Sequence, residues 1–501
     1  MLASGAMFLA PGAPASRDRR IGAWIFAAMF ALTVVVGRGH FLGTDEIGVY
    51  QQTRSLWERG DLAVGAINNT FPGRDGRRYS QYGVGQSLLA LPLYAAGKLA
   101  ERVLPQSWAM ALAGPSIGTE PSRWGGDVPI FFVSLFGALA SAALCLVFFR
   151  LSRWLGAAPR GAAAAALLLG ATTQVLAQAT TFLQHPLEAI ILLGAFGLLL
   201  LDARAPCRWR RLGAGLLLGF ALHVRVASAI ALPALLGYAG VTWYRRCRKD
   251  PARVMREAAP LLAGFLPLAA AWLLVGWLKF GTVPPRFNNE GFKTPLLVGL
   301  HGFLLSPGMS VWLYSPLLLL APWLMAWLWR RARPETIAIL AVAASYLVCF
   351  SMYTAWHGMW SAFGPRYLVA VVPLLLLPLG NWLGETGRRG RVAVGLLAAA
   401  GLLMQAMGAA INFAYVYHAW RWPEFSPPYG FLFVPEVSPP AAFWRSLVRG
   451  EHIDLWLLNA WRAVGPVHAL VPGLLLLGLL GVALYRLHVL VRRNPVAGRP
   501  S

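Results

Sequence analysis

The chain has 501 residues, of which 57% are hydrophobic and only 13% are charged. Soluble domains are about 25% charged, so half that value over a whole chain leaves too little polar surface for a soluble protein. The formal net charge of +24 could suggest nucleic-acid binding, but the basic residues form short clusters between long apolar runs. A nucleic-acid binder would place them on one solvated face. Composition therefore argues against a disordered chain, a secreted disulfide scaffold and a nucleic-acid partner, and predicts an all-α polytopic membrane protein.

The apolar runs predict where the chain crosses the bilayer. About 20 apolar residues are needed for one helical span. Ten runs qualify, at 21–37, 128–149, 161–181, 186–202, 258–278, 311–329, 336–353, 366–383, 392–416 and 466–486. The stretch 212–243 is too long for one span and is interrupted at His223 and Arg225, so it predicts two helices joined by a tight turn. The total is about 12 transmembrane helices.

Clusters of arginine between these runs predict the orientation, because cytoplasmic loops are enriched in Lys and Arg. If residues 1–20 form a cytoplasmic N-terminus, all such clusters face the cytoplasm only when the apolar segment 84–100 does not cross. We therefore expect that segment to be a helix on, or dipping into, the outer face. The predicted organisation is a transmembrane core (21–416) with an external loop (38–127), a second external loop (417–465), and a final helix with a cytoplasmic tail (466–501).

An acidic pair opens the first external loop. Asp45 and Glu46 follow the first helix in "GTDEIGVYQQTRSLWERGDLA", and the residues after them have the spacing of a helix lying along the membrane surface. One interpretation is that Asp45 caps this helix and Glu46 adds a favourable charge to its first turn.

A long first external loop that begins with an acidic pair, continues with surface helices and precedes many spans resembles the GT-C glycosyltransferase superfamily. Within that superfamily the chain resembles the protein O-mannosyltransferases and the aminoarabinose transferases of lipid A. The resemblance implies a sugar donor linked to polyprenyl phosphate, transfer on the external face of a bacterial inner membrane, and Asp45 or Glu46 as the catalytic base. One departure is that "YSQYGVGQS" (79–87) stands where those enzymes carry "HPP" or "KPP".

Such a transferase needs fixed cations for the leaving phosphate. Arg225 is the leading candidate, since a charge within an apolar helical pair is costly unless it is paired or functional. The alternative is that Arg225 only reaches out to the lipid headgroups. Four more cations at predicted external positions are candidates for the donor phosphate: Arg54, Arg78, Lys293 and Arg366.

Substrate-binding candidates occur at two external helix starts and beside Arg225. The first start is "TTFLQHPLEA", with His185 and Glu188; a Pro and an acidic residue are also ordinary at the beginning of a helix. The second is "YTAWHGMWSAFGPRYL" (353–368), with Trp356, His357 and Trp360, where aromatic belt residues are equally expected. His223, next to Arg225 in the predicted turn, completes the set.

Neither a metal nor another cofactor is expected, because no His cluster or Asp-x-Asp motif occurs and the four Cys lie far apart. The predicted partners are the lipid-linked donor, membrane lipids and an acceptor of unknown identity. Two other functional classes remain open. A transporter or lipid flippase should carry polar residues along a path through the spans, where Glu188 is nearly alone. A structural or accessory membrane protein leaves the long loop with its acidic pair unexplained.

Overall fold

A computed structural model describes residues 15–113, 127–283, 291–358, 363–419 and 429–492. Within these ranges the chain is helical almost throughout. One antiparallel hairpin lies in the first external loop, where strand β1 (Thr70–Pro72) pairs with strand β2 (Arg78–Ser80). The helices of the N-terminal half are α1 (Ala15–Val35), α2 (Thr44–Arg59), α3 (Gly85–Val103), α4 (Gln106–Ala113), α5 (Val128–Trp154), α6 (Pro159–Thr172), α7 (Val175–Ala179), α8 (His185–Arg204), α9 (Arg208–Val224), α10 (Leu232–Arg246) and α11 (Pro251–Phe280).

The C-terminal half continues with shorter helical pieces as well as long helices. They are α12 (Leu296–Leu305), α13 (Val311–Tyr314), α14 (Ala321–Trp329), α15 (Arg333–Met352), α16 (Val372–Leu376), α17 (Leu379–Glu385), α18 (Arg388–Ala410), α19 (Phe413–Ala419), α20 (Pro439–Arg449), α21 (Trp456–Val464) and α22 (Val467–Arg492). Turns of 3-10 helix precede α10, α14 and α16 and occur twice in the last loop, at Val226–Ala231, Pro316–Leu320, Arg366–Val371, Gly430–Phe433 and Pro435–Val437.

Seven helices of the described chain are long and apolar enough to cross a membrane, or eight if one bent pair counts as a single span. The seven are Val128–Trp154, His185–Arg204, Val226–Arg246, Pro251–Phe280, Arg333–Met352, Arg388–Ala410 and Val467–Arg492. The bent pair joins Arg366–Leu376 to Leu379–Glu385 at an angle of 43°, with Pro378 at the break. Proline at that place is a sufficient cause, because it removes a backbone donor and crowds the preceding turn.

The remaining predicted spans have identifiable departures from a long apolar helix. α1 begins with charged residues, α6 and α7 are separated by a break at Thr173 and Gln174, and α9 has only 17 residues and opens on three arginines. The run 311–329 is divided among α13, a 3-10 turn and α14. The total of about 12 spans therefore stays a prediction. The predicted break at Arg225 does occur, since α9 ends at Val224 and Arg225 is extended.

Burial separates central helices from peripheral ones. In the most apolar window of α5 and of α8, 67% and 72% of the residues are buried inside the protein, whereas only 11% are buried in α22 and 17% in α11. An apolar helix that the protein leaves uncovered needs a lipid environment, because water would solvate its surface at a high free-energy cost. The chain is therefore a multi-pass membrane protein with α5 and α8 at its centre.

Long-range polar contacts divide the molecule into two ends. At the end predicted to be cytoplasmic, ion pairs join Arg153 to Asp18, Arg211 and Arg246 to Asp202, and Arg331 to Glu385. At the opposite end, the first external loop meets the turn before α8 and the last external loop. Arg38 donates to the Thr180 hydroxyl, and the backbone N–H of Trp456 donates to the Gly37 carbonyl. The candidate site lies at this second end.

Candidate active site

The two acidic residues at the start of α2 have different surroundings. Gly43 precedes the helix, and the Glu46 carboxylate accepts the backbone N–H groups of Leu42 (2.9 Å) and Gly43 (3.0 Å). It also accepts the backbone N–H of Phe182 at 2.7 Å, from the turn before α8. Burial raises the pKa of Glu46, while these three donors act in the opposite direction. Glu46 therefore both caps α2 and attaches the first external loop to the transmembrane core.

Asp45 makes none of these capping bonds, so the interpretation that it caps its own helix is wrong. Its side chain turns into the protein and is 8% exposed. Oδ1 accepts the Asn69 amide at 2.6 Å, and Oδ2 accepts Arg366 Nη1 at 2.9 Å. Burial, followed by the charge of Asp45, raises the pKa of Tyr82 well above its usual value. A carboxylate has about four acceptor positions, so the hydrogen bonds from Asn69 and Arg366 do not use all of them.

A second buried carboxylate lies nearby. Glu188, in the first turn of α8, is fully buried and bonded to Arg225 Nη1 at 2.8 Å. Its other oxygen accepts the hydroxyls of Tyr346 (2.7 Å) and Ser228 (3.1 Å). Arg225 is not directed to the lipid headgroups, because its side chain is only 13% exposed and the guanidinium lies 5.2 Å above the Phe350 ring. The two charges compensate each other, as burial requires.

Tyr367 joins the two ion pairs. The guanidinium carbons of Arg225 and Arg366 each lie 5.1 Å from the centre of its ring. The Tyr367 ring in turn stacks on the ring of Phe350: the two planes are within 3° of parallel, and the ring centres are 4.6 Å apart. The result is a row of alternating charge and aromatic surface, running from Asp45 through Arg366, Tyr367 and Arg225 to Glu188. Guanidinium groups stack well on aromatic faces, and the stacking fixes their orientation.

Several polar atoms around this row have no hydrogen-bond partner among the described residues. They are Nδ1 of His185, Nδ1 of His357, Nε of Arg366 and Nε1 of the fully buried Trp356. His185 Nδ1 lies 3.9 Å from Glu188, beyond hydrogen-bond distance. Burial, and then the charge of Arg366, lowers the pKa of His357 to about 4, so its imidazole is neutral at pH 7. Unsatisfied buried polar atoms are rare in proteins and are candidates to meet a ligand or water.

Other sequence candidates lie apart from this row. Arg54 pairs with Glu58 one helical turn away at 2.9 Å and is half exposed. Arg78 donates to Thr70 across the β hairpin. These two arginines hold the first external loop together.

The last three candidates are a histidine, a lysine and a tryptophan. His223 lies at the end of α9, and its Nε2 contacts the Leu268 carbonyl at 2.8 Å. Lys293 is exposed in the segment before α12, and Trp360 lies outside the described residues.

Sequence reasoning did not identify Asn69, Tyr82 or Tyr346 as members of the site. Asn69 has a positive φ of 66°, a backbone conformation in which asparagine is enriched, and this was a possible signal for a special turn. Tyr82 and Tyr346 carry no local signal, because tyrosine is common in external loops and apolar helices. Only their long-range contacts distinguish them.

The described part of the last external loop lies against the site. The Tyr429 ring packs 5.7 Å from that of Trp356 and 6.1 Å from that of His357. The Leu432 carbonyl accepts the backbone N–H of Gly308 at 2.9 Å, which holds this segment onto the core. In the part of the chain that the structure describes, no group of three or more His, Cys, Asp or Glu side chains is arranged to bind a metal ion.

The fold of the chain is similar to those of several solved structures. ArnT from Cupriavidus metallidurans in its apo state superimposes with a TM-score of 0.50 at 16% identity, over 87% of this chain and 75% of that one. The same protein bound to undecaprenyl phosphate gives 0.47 at 17% identity, over 94% and 78% of the two chains. The archaeal oligosaccharyltransferase AglB from Archaeoglobus fulgidus, in complex with an inhibitory peptide and a dolichol-phosphate, gives 0.47 at 13% identity, over 93% and 69%.

The similarity to apo ArnT shows that the chain has a GT-C-like fold, as the resemblance of its sequence implied. No protein-family model matches the sequence, and the search of curated proteins finds no match.

Proposed function

We propose that the protein is a membrane glycosyltransferase that moves a sugar from a polyprenyl-phosphate-linked donor to an acceptor on the external face of a bacterial inner membrane. The observation that carries the proposal is the environment of Asp45. This buried carboxylate lies at the loop end of the bundle, accepts hydrogen bonds from Asn69 of the first external loop and from the distant Arg366, and retains acceptor positions. The GT-C fold, found also in ArnT, supports the same reaction class.

In the proposed reaction, Asp45 accepts a proton and the two arginines of the row stabilise the leaving group. The acceptor's hydroxyl or amine forms a bond to the anomeric carbon of the sugar and gives its proton to Asp45. The bond from that carbon to the phosphate oxygen breaks, and its electron pair leaves with the lipid phosphate. A base placed within hydrogen-bond distance assists such an attack because the nucleophile loses its proton as the new bond forms.

The leaving phosphate would be stabilised by Arg366 and Arg225. Arg366 gives Nη1 to Asp45, whereas its Nε has no partner among the described residues. An arginine can therefore bridge the base and the phosphate, with different N–H groups directed to each. His185, His357 and Trp356 would bind the sugar or the phosphate through the polar atoms that are otherwise unsatisfied.

The test is a transfer assay with the full-length protein in lipid nanodiscs and an undecaprenyl-phosphate-linked sugar as donor. The lipid that copurifies with the protein, identified by mass spectrometry, guides the choice of sugar. Asp45→Asn keeps the side-chain size but removes the basicity, so turnover should fall by a factor of about 100 or more while donor binding persists.

Asp61→Asn is the matched control. Asp61 lies in the same loop but bonds to Ser55 and Arg59 and pairs with Arg77, away from the site. Turnover should be unchanged in this variant. Full activity of Asp45→Asn would remove Asp45 from the mechanism, and flipping of the lipid without transfer would favour a transporter.

A further inference from the structure

Lys279 is a buried cation near the end of α11. Its residue is 4% exposed, and its ammonium lies against three oxygens: Ser80 O at 2.5 Å, Tyr82 O at 3.1 Å and Gln52 Oε1 at 3.3 Å. All three belong to the first external loop, about 200 residues earlier in the sequence. The side chain therefore connects the outer end of a lipid-facing helix to the loop that carries Asp45.

These partners are all neutral. Among the described residues no carboxylate lies within ion-pairing distance of the Lys279 ammonium, unlike Arg225 and Arg366, which both have one. A buried charge that is balanced only by carbonyl dipoles is expensive, and an apolar side chain would fill the same space at lower cost. Hydrogen bonds to the first external loop, and not an ion pair, therefore hold the Lys279 side chain in the protein interior.

The three bonds hold the backbone on which Tyr82 is placed. An ammonium has three N–H donors, and the three oxygens account for all of them, so none is left for a ligand. Gln52 extends the attachment, because its amide nitrogen donates to Gly83 O and to the Ser87 hydroxyl. The Lys279 carbonyl in turn accepts the backbone N–H of Arg74. The main chain of Lys279 thus binds the hairpin at Arg74, after β1, and its side chain binds it at Ser80, the end of β2.

The consequence reaches the candidate base through Asn69. The backbone N–H of Gln81, which lies between the two residues whose carbonyls Lys279 binds, donates to the Asn69 carbonyl at 3.1 Å, and the Asn69 side-chain amide donates to Asp45 at 2.6 Å. We propose that Lys279 is a positioning residue: by fixing the backbone of residues 80–82 from α11, it sets the position of Asn69 and so the contact between the Asn69 amide and the Asp45 carboxylate. This inference rests on the proposed function, since it assigns Lys279 a part in the orientation of the same base.

A double-mutant cycle in the transfer assay tests the inference. Asn69→Gly removes the side-chain amide while tolerating the positive φ of 66° at this position, and it should lower kcat about tenfold, the worth of one hydrogen bond, with little change in the donor KM. Lys279→Met should lower kcat by a similar factor, again with little change in KM. The double variant should be no slower than either single variant, because both changes remove the same contact.

Lys98→Met is the control, because Lys98 is a lysine of the same loop region that pairs with Glu101 on the surface of α3. It should have normal kcat and KM. Lys279→Arg keeps the charge with a different shape and should be intermediate, and it provides a folded variant for the cycle if Lys279→Met does not fold.

If kcat of the double variant falls by the product of the two single losses, the two residues act independently and the inference is overturned. A raised donor KM with unchanged kcat would also overturn it, because Lys279 would then bind the donor. Either result together with an inactive Asp45→Asn would leave the proposed function standing. An active Asp45→Asn would instead remove the proposed function itself.

Discussion

Asp45 and Glu46 are adjacent and chemically similar, yet they have no partner in common. Successive residues of a helix point about 100° apart, so one carboxylate of the pair faces the capping position and the other faces the interior. The Glu46 carboxylate accepts hydrogen bonds from three backbone N–H groups, whereas the Asp45 carboxylate accepts them only from side chains. The separation explains why a single acidic pair can both attach a loop and supply a candidate base.

The Glu188–Arg225 pair gives a prediction at the residue scale. Each single variant, Glu188→Gln or Arg225→Gln, leaves the other charge buried without compensation. Loss of one partner of a buried pair costs about 3–5 kcal/mol of folding free energy. The double variant should recover part of this loss, because two neutral amides can bond to each other and to Tyr346.

Thermal unfolding of the purified protein in nanodiscs measures the pattern. The Arg54→Gln variant serves as control, because Arg54 forms an exposed pair with Glu58 and such pairs contribute little. Additive losses in the double variant would mean that Glu188 and Arg225 do not stabilise each other.

At the scale of elements, the last external loop is joined to the first by a buried polar junction. Asp454 accepts His40 Nε2 at 2.9 Å and the side-chain amides of Asn412 and Asn459, each at 2.8 Å. The junction thereby links the segment after α1, the end of α18 and the segment before α21. It holds the second external loop over the same end of the bundle as the candidate site.

The junction should depend on pH. Burial disfavours the charged form of His40 and so does Arg38, but the Asp454 carboxylate outweighs both and raises the pKa of His40 above its ordinary 6.5. A raised pKa means that the stabilising contribution is complete below about pH 6.5 and is lost as the pH rises through the raised value. Asp454 has a lowered pKa, against the effect of burial, because of His40, so its own contribution is lost only in acid.

Hydrogen–deuterium exchange of the backbone amides of 451–456, corrected for intrinsic rates, should therefore increase as the pH rises above this range. His40→Gln should exchange faster at every pH and lose the additional dependence. Equal protection of the wild-type protein from pH 6 to 9 would contradict the prediction.

On the scale of the whole molecule, contacts between loops divide the described chain into two ends. The arginine clusters share one end with their acidic partners, and the candidate site is at the other. Which end faces the cytoplasm is predicted from the arginine clusters alone.

Cysteine labelling with a membrane-impermeant reagent in intact cells tests the orientation. Trp444→Cys and Lys293→Cys should be labelled, whereas Arg331→Cys and Arg389→Cys should be labelled only after the membrane is permeabilised. The background needs the four native cysteines replaced, since Cys207 and Cys349 are partly exposed. Labelling of position 331 from outside would overturn the scheme, including the placement of 84–100.

The sequence by itself determined the membrane class, the GT-C resemblance, the break at Arg225 and the acidic pair as the centre of interest. These features are local: an apolar run, a charge in such a run and an acidic pair after the first helix are all visible in about 20 residues. The sequence did not determine the number of spans, because helices divided by short breaks, such as α6 and α7, cannot be distinguished from continuous ones by apolarity alone.

Tertiary structure decided which carboxylate of the acidic pair caps α2 and which cation lies beside the other. Asp45 meets Arg366 across 321 residues, and Lys279 meets Tyr82 across 197. Composition and periodicity predict that a charge must be compensated when it is buried, but they do not name its partner. The choice among Arg54, Arg78, Arg225 and Arg366 depends on which helix ends the packed core brings together, and only the folded chain contains that information.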